Sequence, residues 1–377
     1  MTVDIKRIID LRLKLHRHPE LSGEEFKTAE LIEKTLSKFS PDKIIVLAET
    51  GRAFIYDSGK EGKTIMFRAE LDALPILEPD DTFNKSLNKG VSHKCGHDGH
   101  MAILTGLAEA ISTNRPVSGK VVLLFQPAEE TLSGARTVID DPKFKEIEPD
   151  YIYAIHNLPG FNENSVIIRD GNFTSATNGI SIKLTGNTSH AANPEKANNP
   201  TDATLELLDF FRKEITTRNF KNFVLATPVY TTIGSPDFGI TPGNSEIKVT
   251  LRAYDYGDLD KMIGYVQDTV KMVAQKHNLK FDISYTDDAA PVYNNQRAIE
   301  VIKSAANENN LRIETIPEPF KWTEDFGYFT IKYKGALVGF GAGEGPNLHD
   351  KNYNFNDNII THAVSFLYSI YKHYNKQ

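Results

Sequence analysis

Lys120-Val-Val-Leu-Leu-Phe-Gln-Pro-Ala-Glu-Glu130 opens on an unbroken apolar run, 121–125, and closes on two adjacent carboxylates. A short run with no polar alternation is the signature of a strand buried on both faces, as in a parallel sheet covered by helices. Further short apolar runs at 44–47, 53–56, 64–71 and 151–155 predict further strands, and the Ala-, Leu- and Ile-rich 101–111 predicts a helix between them. Strands alternating with helices imply an α/β fold, a mixed, largely parallel sheet flanked by helices. In such sheets the carboxyl ends of the strands are where reactive groups collect, and Glu129-Glu130 stands at one.

Outward from this core, residues 3–17 carry apolar positions at helical spacing, and Pro19 ends that helix. Ser22-Gly-Glu-Glu25 has the spacing of a capping box and predicts a second helix to about residue 38. The texture changes near residue 177. Strands at 180–184, 224–233, 246–254 and 279–285, with helices at 200–217 and 259–277, give the order β-α-β-β-α-β of a small ferredoxin-like α+β domain. A helix at 297–307, a strand at 336–340 and a helix at 359–374 return to the first texture. The 377 residues exceed what one hydrophobic core usually supports. The expectation is therefore a larger domain of 1–177 and 290–377 with a smaller domain, 178–289, inserted into it.

The net charge of -7 argues against nucleic acid or an anionic membrane as partner, since either would select a basic face. Cys95 is the sole cysteine, so no intrachain disulfide can form. The N-terminal stretch has charges where a signal peptide needs an apolar core, and no stretch is apolar for long enough to span a bilayer. A cytoplasmic location is expected, where a lone thiol is free to act as ligand or nucleophile.

Five places concentrate histidine, cysteine and carboxylate. His93-Lys-Cys95-Gly-His97-Asp98-Gly-His100 can put thiolate and imidazole on one ion, with glycines that let the backbone fold closely around it. Glu129-Glu130 places two like charges side by side, for which a cation is the natural compensation, although an acidic helix start would read the same way. His156-Asn157 ends the strand at 151–155, and Leu348-His349 follows the glycine-rich 339–346. Ser189-His190-Ala-Ala lies in the smaller domain. Each lone histidine would read as structural. Together Cys95, His97, Glu130, His156 and His349 make a mixed set suited to zinc or another borderline divalent ion.

These motifs, with His16-Arg-His18-Pro-Glu-Leu-Ser22, Ala69-Glu-Leu-Asp72-Ala-Leu-Pro75 and Glu324-Asp325-Phe326, fall in one order along nearly the whole chain. In that order they resemble the aminoacylase/carboxypeptidase family of dinuclear metal hydrolases, and within it the amidohydrolases of hippurate, N-acyl amino acids and auxin conjugates. The resemblance implies two divalent ions per subunit, zinc, manganese, nickel or cobalt. Cys95 would bridge them and His97, Glu130, His156 and His349 would complete the coordination. It implies Glu129 as general base and acid, His190 on the substrate carbonyl oxygen, Arg252 on a substrate carboxylate, and Asp72 and Glu70 as carboxylates behind the ligands. It also implies a homodimer through the smaller domain, acting as a lid, and a small N-acyl amino acid or dipeptide-like substrate.

The sequence departs from the family at three points. Glu70 stands for the usual Asp, Gly239-Ile-Thr-Pro242 for the usual Asn-Val-Ile-Pro, and Thr323 for the usual Ser. These bear on the substrate more than on the chemistry. A dipeptidase or carboxypeptidase of the same family is the neighbouring reading. A thiol hydrolase using Cys95 with His97 or His156, and a metal- or ligand-binding protein without catalysis, are the readings of other classes.

Overall fold

The computed structural model describes residues 3–375 and divides by its contacts into two compact units. The first comprises Met1–Phe173, Val292–Glu318 and Asp325–Gln377, the second Thr174–Pro291 and Pro319–Glu324. The 319–324 segment joins the second unit because its carbonyls serve that unit's donors. The Ser175 amide donates to Trp322 O at 3.1 Å and the Ser175 hydroxyl to Phe320 O at 2.8 Å.

In chain order the elements are α1 (Ile5–Arg17), α2 (Phe26–Leu36), β1 (Lys43–Leu47), β2 (Gly51–Asp57), β3 (Thr64–Glu70), α3 (His97–Thr113), β4 (Lys120–Gln126), α4 (Gly134–Asp140), β5 (Tyr151–Leu158), β6 (Val166–Ile168) and β7 (Gly171–Asn172). The second unit follows with β8 (Ala176–Thr185), α5 (Thr201–Asp209), β9 (Val224–Ile233), β10 (Asn244–Ala253), α6 (Tyr256–Lys276) and β11 (Lys280–Ala289). The chain then returns through β12 (Tyr293–Asn294), α7 (Gln296–Glu308), β13 (Ile313–Thr315), α8 (Gly327–Lys332), β14 (Lys334–Gly341) and α9 (Ile360–Tyr374).

The first unit's described residues form an eight-stranded sheet in the order β1-β2-β4-β3-β5-β14-β6-β13. Its centre, β4-β3-β5-β14, is parallel throughout. Antiparallel pairs join β1 to β2, β2 to β4 and β6 to β14. Val121, Leu123 and Phe125 of β4 share one core with α1, α3, α7 and α9, while Val122 and Leu124 are buried on the opposite face. Because the four central strands run the same way, all their carboxyl ends open on one edge of the sheet. The second unit's sheet, β11-β8-β10-β9, is antiparallel throughout, with α5 and α6 packed on its core. Among the described residues no helix is long and apolar enough to cross a membrane.

Three local readings are corrected by packing. Ser22 does not cap α2; its hydroxyl donates to Asp72 Oδ2 at 2.7 Å. Glu25 is fully buried instead, accepting from Gly23 N (2.8 Å), Thr50 Oγ1 (2.8 Å) and Ala128 N (2.9 Å). It thereby holds the turn in which Ala128 sits at φ +52°, a left-handed conformation that a non-glycine residue keeps only under outside support. Helix α3 begins at His97 rather than at Met101, since its first, polar turn faces a site rather than the core. The helix expected over 200–217 ends at Asp209 and passes into a wide turn, Phe210–Glu214, in which adjacent Phe210 and Phe211 are both buried.

Helix α1 also departs from a simple amphipathic reading, because Arg12 and His16 lie on its buried face. His16 Nδ1 is 2.8 Å from Asp98 Oδ2, and its Nε2 is 2.9 Å from Glu78 Oε1. Arg12 pairs with Asp357 at 2.8 and 2.6 Å and lies 3.6 Å from Asp98. Burial alone would lower the His16 pKa, but its bonds to Asp98 and Glu78 and their charges outweigh that and push it up to about 9. The folded state therefore binds this proton more tightly than the unfolded chain. The contribution is fully present below about pH 6.5 and is lost as pH rises through about 9, roughly 3 kcal/mol in all. Urea unfolding across this window should show a steep loss of stability in the wild type and a visibly shallower one in His16→Gln; parallel curves would contradict the assignment.

Candidate metal centre

The open edge of the first unit's sheet receives Asp72 just after β3, Pro127–Glu130 just after β4, and His156 from the last residues of β5. Cys95 and His97 arrive at the start of α3, and His349 on the loop after β14. Gly96 takes φ +91°, and a Cβ there would lie 2.4 Å from Asn157 Oδ1 and 2.7 Å from the Tyr353 hydroxyl. A Cβ at Gly99 would lie within 2.1–2.3 Å of the Phe355 ring. Both glycines are thus required for the turn to press Cys95 and His97 against the sheet.

The side chains converge. Cys95, His97 and His156 offer donor atoms that all lie within 4.8 Å of one another, as do Cys95, Glu130 and His349, and His97, Glu129 and Glu130. Cys95 Sγ is 3.4 Å from His156 Nε2, and His349 Nε2 is 3.6 Å from Glu130 Oε2. His97 Nε2 is 3.7 Å from Glu129 Oε2 and 3.8 Å from Glu130 Oε1. Two donors at 2.0–2.3 Å from one ion, at a tetrahedral angle, stand about 3.3–3.8 Å apart. The observed spacings fall in that range, and those between imidazole and carboxylate are too long for hydrogen bonds and right for ligands of a shared cation. The buried His97 Nε2 has no hydrogen-bond partner among the described residues, as a ligand nitrogen aimed at an ion should. The residues present therefore fit a divalent metal.

The imidazoles are set up for this role by their other nitrogens. His97 Nδ1 is 2.9 Å from the carbonyl of Asp72, and His156 Nδ1 is 2.9 Å from the carbonyl of Asn157. Each ring then presents Nε2 to the site. Burial depresses the His156 pKa to about 3, helped by the charge of His100, so the ring is neutral and its lone pair available. Burial would lower His97 too, but its bond to Asp72 and the charges of Glu70, Glu130 and Asp72 push it up to about 10. Fixed negative charge that holds a proton so firmly favours any cation in the same place. Burial lowers His349, which is half exposed and sits at φ +65°.

Behind these groups stands a buried hydrogen-bonded layer. Asp72 Oδ2 accepts from Ser22 and from the Glu130 amide at 2.9 Å, fixing the turn that carries both glutamates. Glu70 contacts the Arg68 guanidinium and lies 2.7 Å from His100 Nδ1. Burial would raise Glu70, but Arg68 and His100 hold it well below the usual carboxylate range. Arg68 also bonds Asp325 at 2.8 Å, and Asp325 accepts from Gln126 and from the Ala135 amide. His100 thus stands behind the donors, 2.7 Å from Asn157 Oδ1 on its other side. Asn157 and Gln126 were not singled out from the sequence, and only their places beside His156 and Glu129 hinted at them.

In the second unit His190 is exposed, in a bridge to Ile240. Its Nδ1 accepts from the Ala192 amide at 3.0 Å, which leaves Nε2 as the protonated nitrogen of the neutral ring. Gly239 lacks the amide side chain expected there, yet its carbonyl accepts the Ala191 amide at 2.9 Å and braces the same loop. Arg252, on β10, donates to Lys321 O at 3.1 Å and to the Thr323 hydroxyl at 2.7 Å.

Known proteins resemble the chain along most of its length. A family model described as peptidase family M20/M25/M40 matches residues 66–373. The chain is 30% identical over 360 residues to hippurate hydrolase of Campylobacter jejuni, covering 94% of this chain and 93% of that protein. It is 29% identical over 365 residues to N-acetyl-L-cysteine deacetylase of Bacillus subtilis, covering 96% and 87%. A crystal structure of the Bacillus subtilis YXEP protein, described as a dinuclear metal-binding peptidase of the same family, matches the fold with a TM-score of 0.83 at 22% identity, over 97% of this chain and 96% of the other. The chain is a member of peptidase family M20/M25/M40.

Proposed function

We propose that this chain is a metal-dependent amidohydrolase that removes the acyl group from N-acyl amino acids or closely related small amides. The observation that carries the proposal is the meeting of one thiol, three imidazoles and Glu130 at ligand spacing, with the Glu129 carboxylate 3.7 Å from His97. Cys95, His97, Glu130, His156 and His349 would hold two divalent ions, with Cys95 shared between them. Zinc, manganese, nickel and cobalt all suit this donor set. When bound, such ions polarise an amide carbonyl and lower the pKa of water toward about 7.

The remaining steps belong to the protein's own groups. Glu129, nearly buried, takes the proton of the attacking water and returns it to the departing amine nitrogen. Its place on a turn pinned by Glu25 and Asp72 keeps it aimed without a ligand's bond to hold it. His190, with Nε2–H exposed, is assigned to the oxygen of the scissile carbonyl as negative charge builds there. Arg252 is assigned to the substrate carboxylate. The relatives named for hippurate and N-acetyl-L-cysteine support an acyl amino acid as substrate over a dipeptide. A homodimer through the second unit belongs to the same reading; Val229 and Tyr230 are exposed on β9, the edge strand of its sheet. A cytoplasmic location fits a chain whose single cysteine is a ligand.

The 3.4 Å approach of Cys95 to His156 also suits a thiol nucleophile with its base. That reading leaves Glu130 and His349, which face the same sulfur, without a task. A chelator distinguishes the two: activity lost to chelation and restored by added metal supports the metal enzyme, while activity that survives chelation and dies on alkylation supports the thiol.

Glu129→Gln should bind metal like the wild type and lose at least about 10²-fold in kcat on a panel of acyl amino acids; a near-normal rate would remove Glu129 from its role. His190→Ala should keep its fold and metal content, leave KM within a few-fold, and lose about 10²–10³-fold in kcat. A wild-type rate in that variant would exclude His190 from the chemistry.

A further inference from the structure

Lys94 lies between His93 and Cys95 in the chain, yet its side chain is fully buried. Its ammonium donates to the carbonyl of Tyr353 at 2.6 Å and pairs with Glu78 Oε1 at 2.5 Å. Its own carbonyl accepts the amide of His349 at 2.7 Å. One residue therefore grips the 349–353 loop at both ends, by its backbone at His349 and by its side chain at Tyr353. The loop needs such a grip. Residues 344–347 and 349–352 are exposed, and His349 holds a left-handed backbone at φ +65° that tetrapeptide preferences alone would not select.

The tether is itself anchored. Glu78 Oε1 also meets His16, and Glu78 Oε2 accepts the Ser86 amide at 2.6 Å. His16 continues to Asp98 on the first turn of α3, and Arg12 to Asp98 and Asp357. With His16 protonated, the cations Arg12, His16 and Lys94 balance the anions Glu78, Asp98 and Asp357. A buried ion survives only when paired in this way. Tyr353 in turn receives the Asn157 amide on its hydroxyl, next to His156.

We infer that Lys94 is a positioning residue for metal binding: its buried ammonium locks the His349 loop to the Cys95 loop and so fixes the separation of those two donors. The inference rests on the reading of Cys95 and His349 as ligands. It gives Lys94 no contact with substrate. Its loss should weaken one ion and spare the other, because His97 and His156 are held by Asp72 and Asn157 instead. Groups that orient ligands are typically worth 10–100-fold in metal affinity.

The test is zinc and cobalt stoichiometry and affinity, by competition against a chromophoric chelator, in the full-length wild type, His349→Ala, Lys94→Met and the double variant Lys94→Met/Glu78→Gln. The double variant removes one cation and one anion, so the buried network stays neutral and the fold is spared an orphan charge. Lys94→Met, or the double variant if the single one fails to fold, should bind one ion normally and the second at least about tenfold more weakly. The cobalt-thiolate absorption of Cys95 should persist, and His349→Ala should show the same loss. Wild-type affinity for both ions in the folded Lys94 variants, while His349→Ala loses one, would overturn the inference and leave the ligand assignment standing. Wild-type affinity in His349→Ala would overturn the ligand assignment, and the inference with it.

Discussion

Four carboxylates, Glu70, Asp72, Glu129 and Glu130, are gathered at the carboxyl ends of β3 and β4, and their mutual repulsion in a dry place is the constraint that the rest of the site answers. Unpaired, such groups would take up protons or drive the turn apart. Arg68 and His100 answer for Glu70, and Ser22 and the Glu130 amide for Asp72. Glu129 and Glu130 face His97 at ligand spacing, where further positive charge is in demand. In the function proposed above, a divalent ion would meet that demand with a greater charge than a proton, and Glu129 would serve in proton transfer beside it.

The parallel centre of the sheet makes this crowding possible. Strands β3 and β4 deliver carboxylates and β5 an imidazole to the same edge, and the hydrogen-bonded ladder sets the separations of the strand ends before any side chain is considered. Loops then bring the remaining donors. Cys95 comes through a glycine turn that tolerates no Cβ, and His349 through an exposed loop tied down by a buried lysine. Precision therefore falls as one moves from strand to loop, and the ionic network beneath α1 is where the fold compensates.

What was legible in the sequence follows the same division. The apolar run at 121–125 announced a doubly covered strand, and the order of strands and helices announced both sheets. Cys95, His97, Glu129, Glu130, His156 and His349 stood out because such groups are rare at the ends of apolar runs, and they do converge. Glu78, Lys94 and Tyr353 were silent. Each is ordinary in its own stretch, and its partners lie 62 residues away for Glu78 and His16 and 259 for Lys94 and Tyr353. Ser22 was misread as a helix cap for the same reason: the competing acceptor, Asp72, is distant in sequence and close in space.

The central claim is that Cys95 sits between two divalent ions. Anomalous diffraction from crystals grown with zinc or manganese tests it most directly. The account predicts two peaks, each about 2.3 Å from Cys95 Sγ when the metal is zinc, with His97 and His156 nitrogens and the Glu130 and His349 donors completing their surroundings. A map with no peak at this edge of the sheet, or with ions held elsewhere and the thiol free, would contradict it.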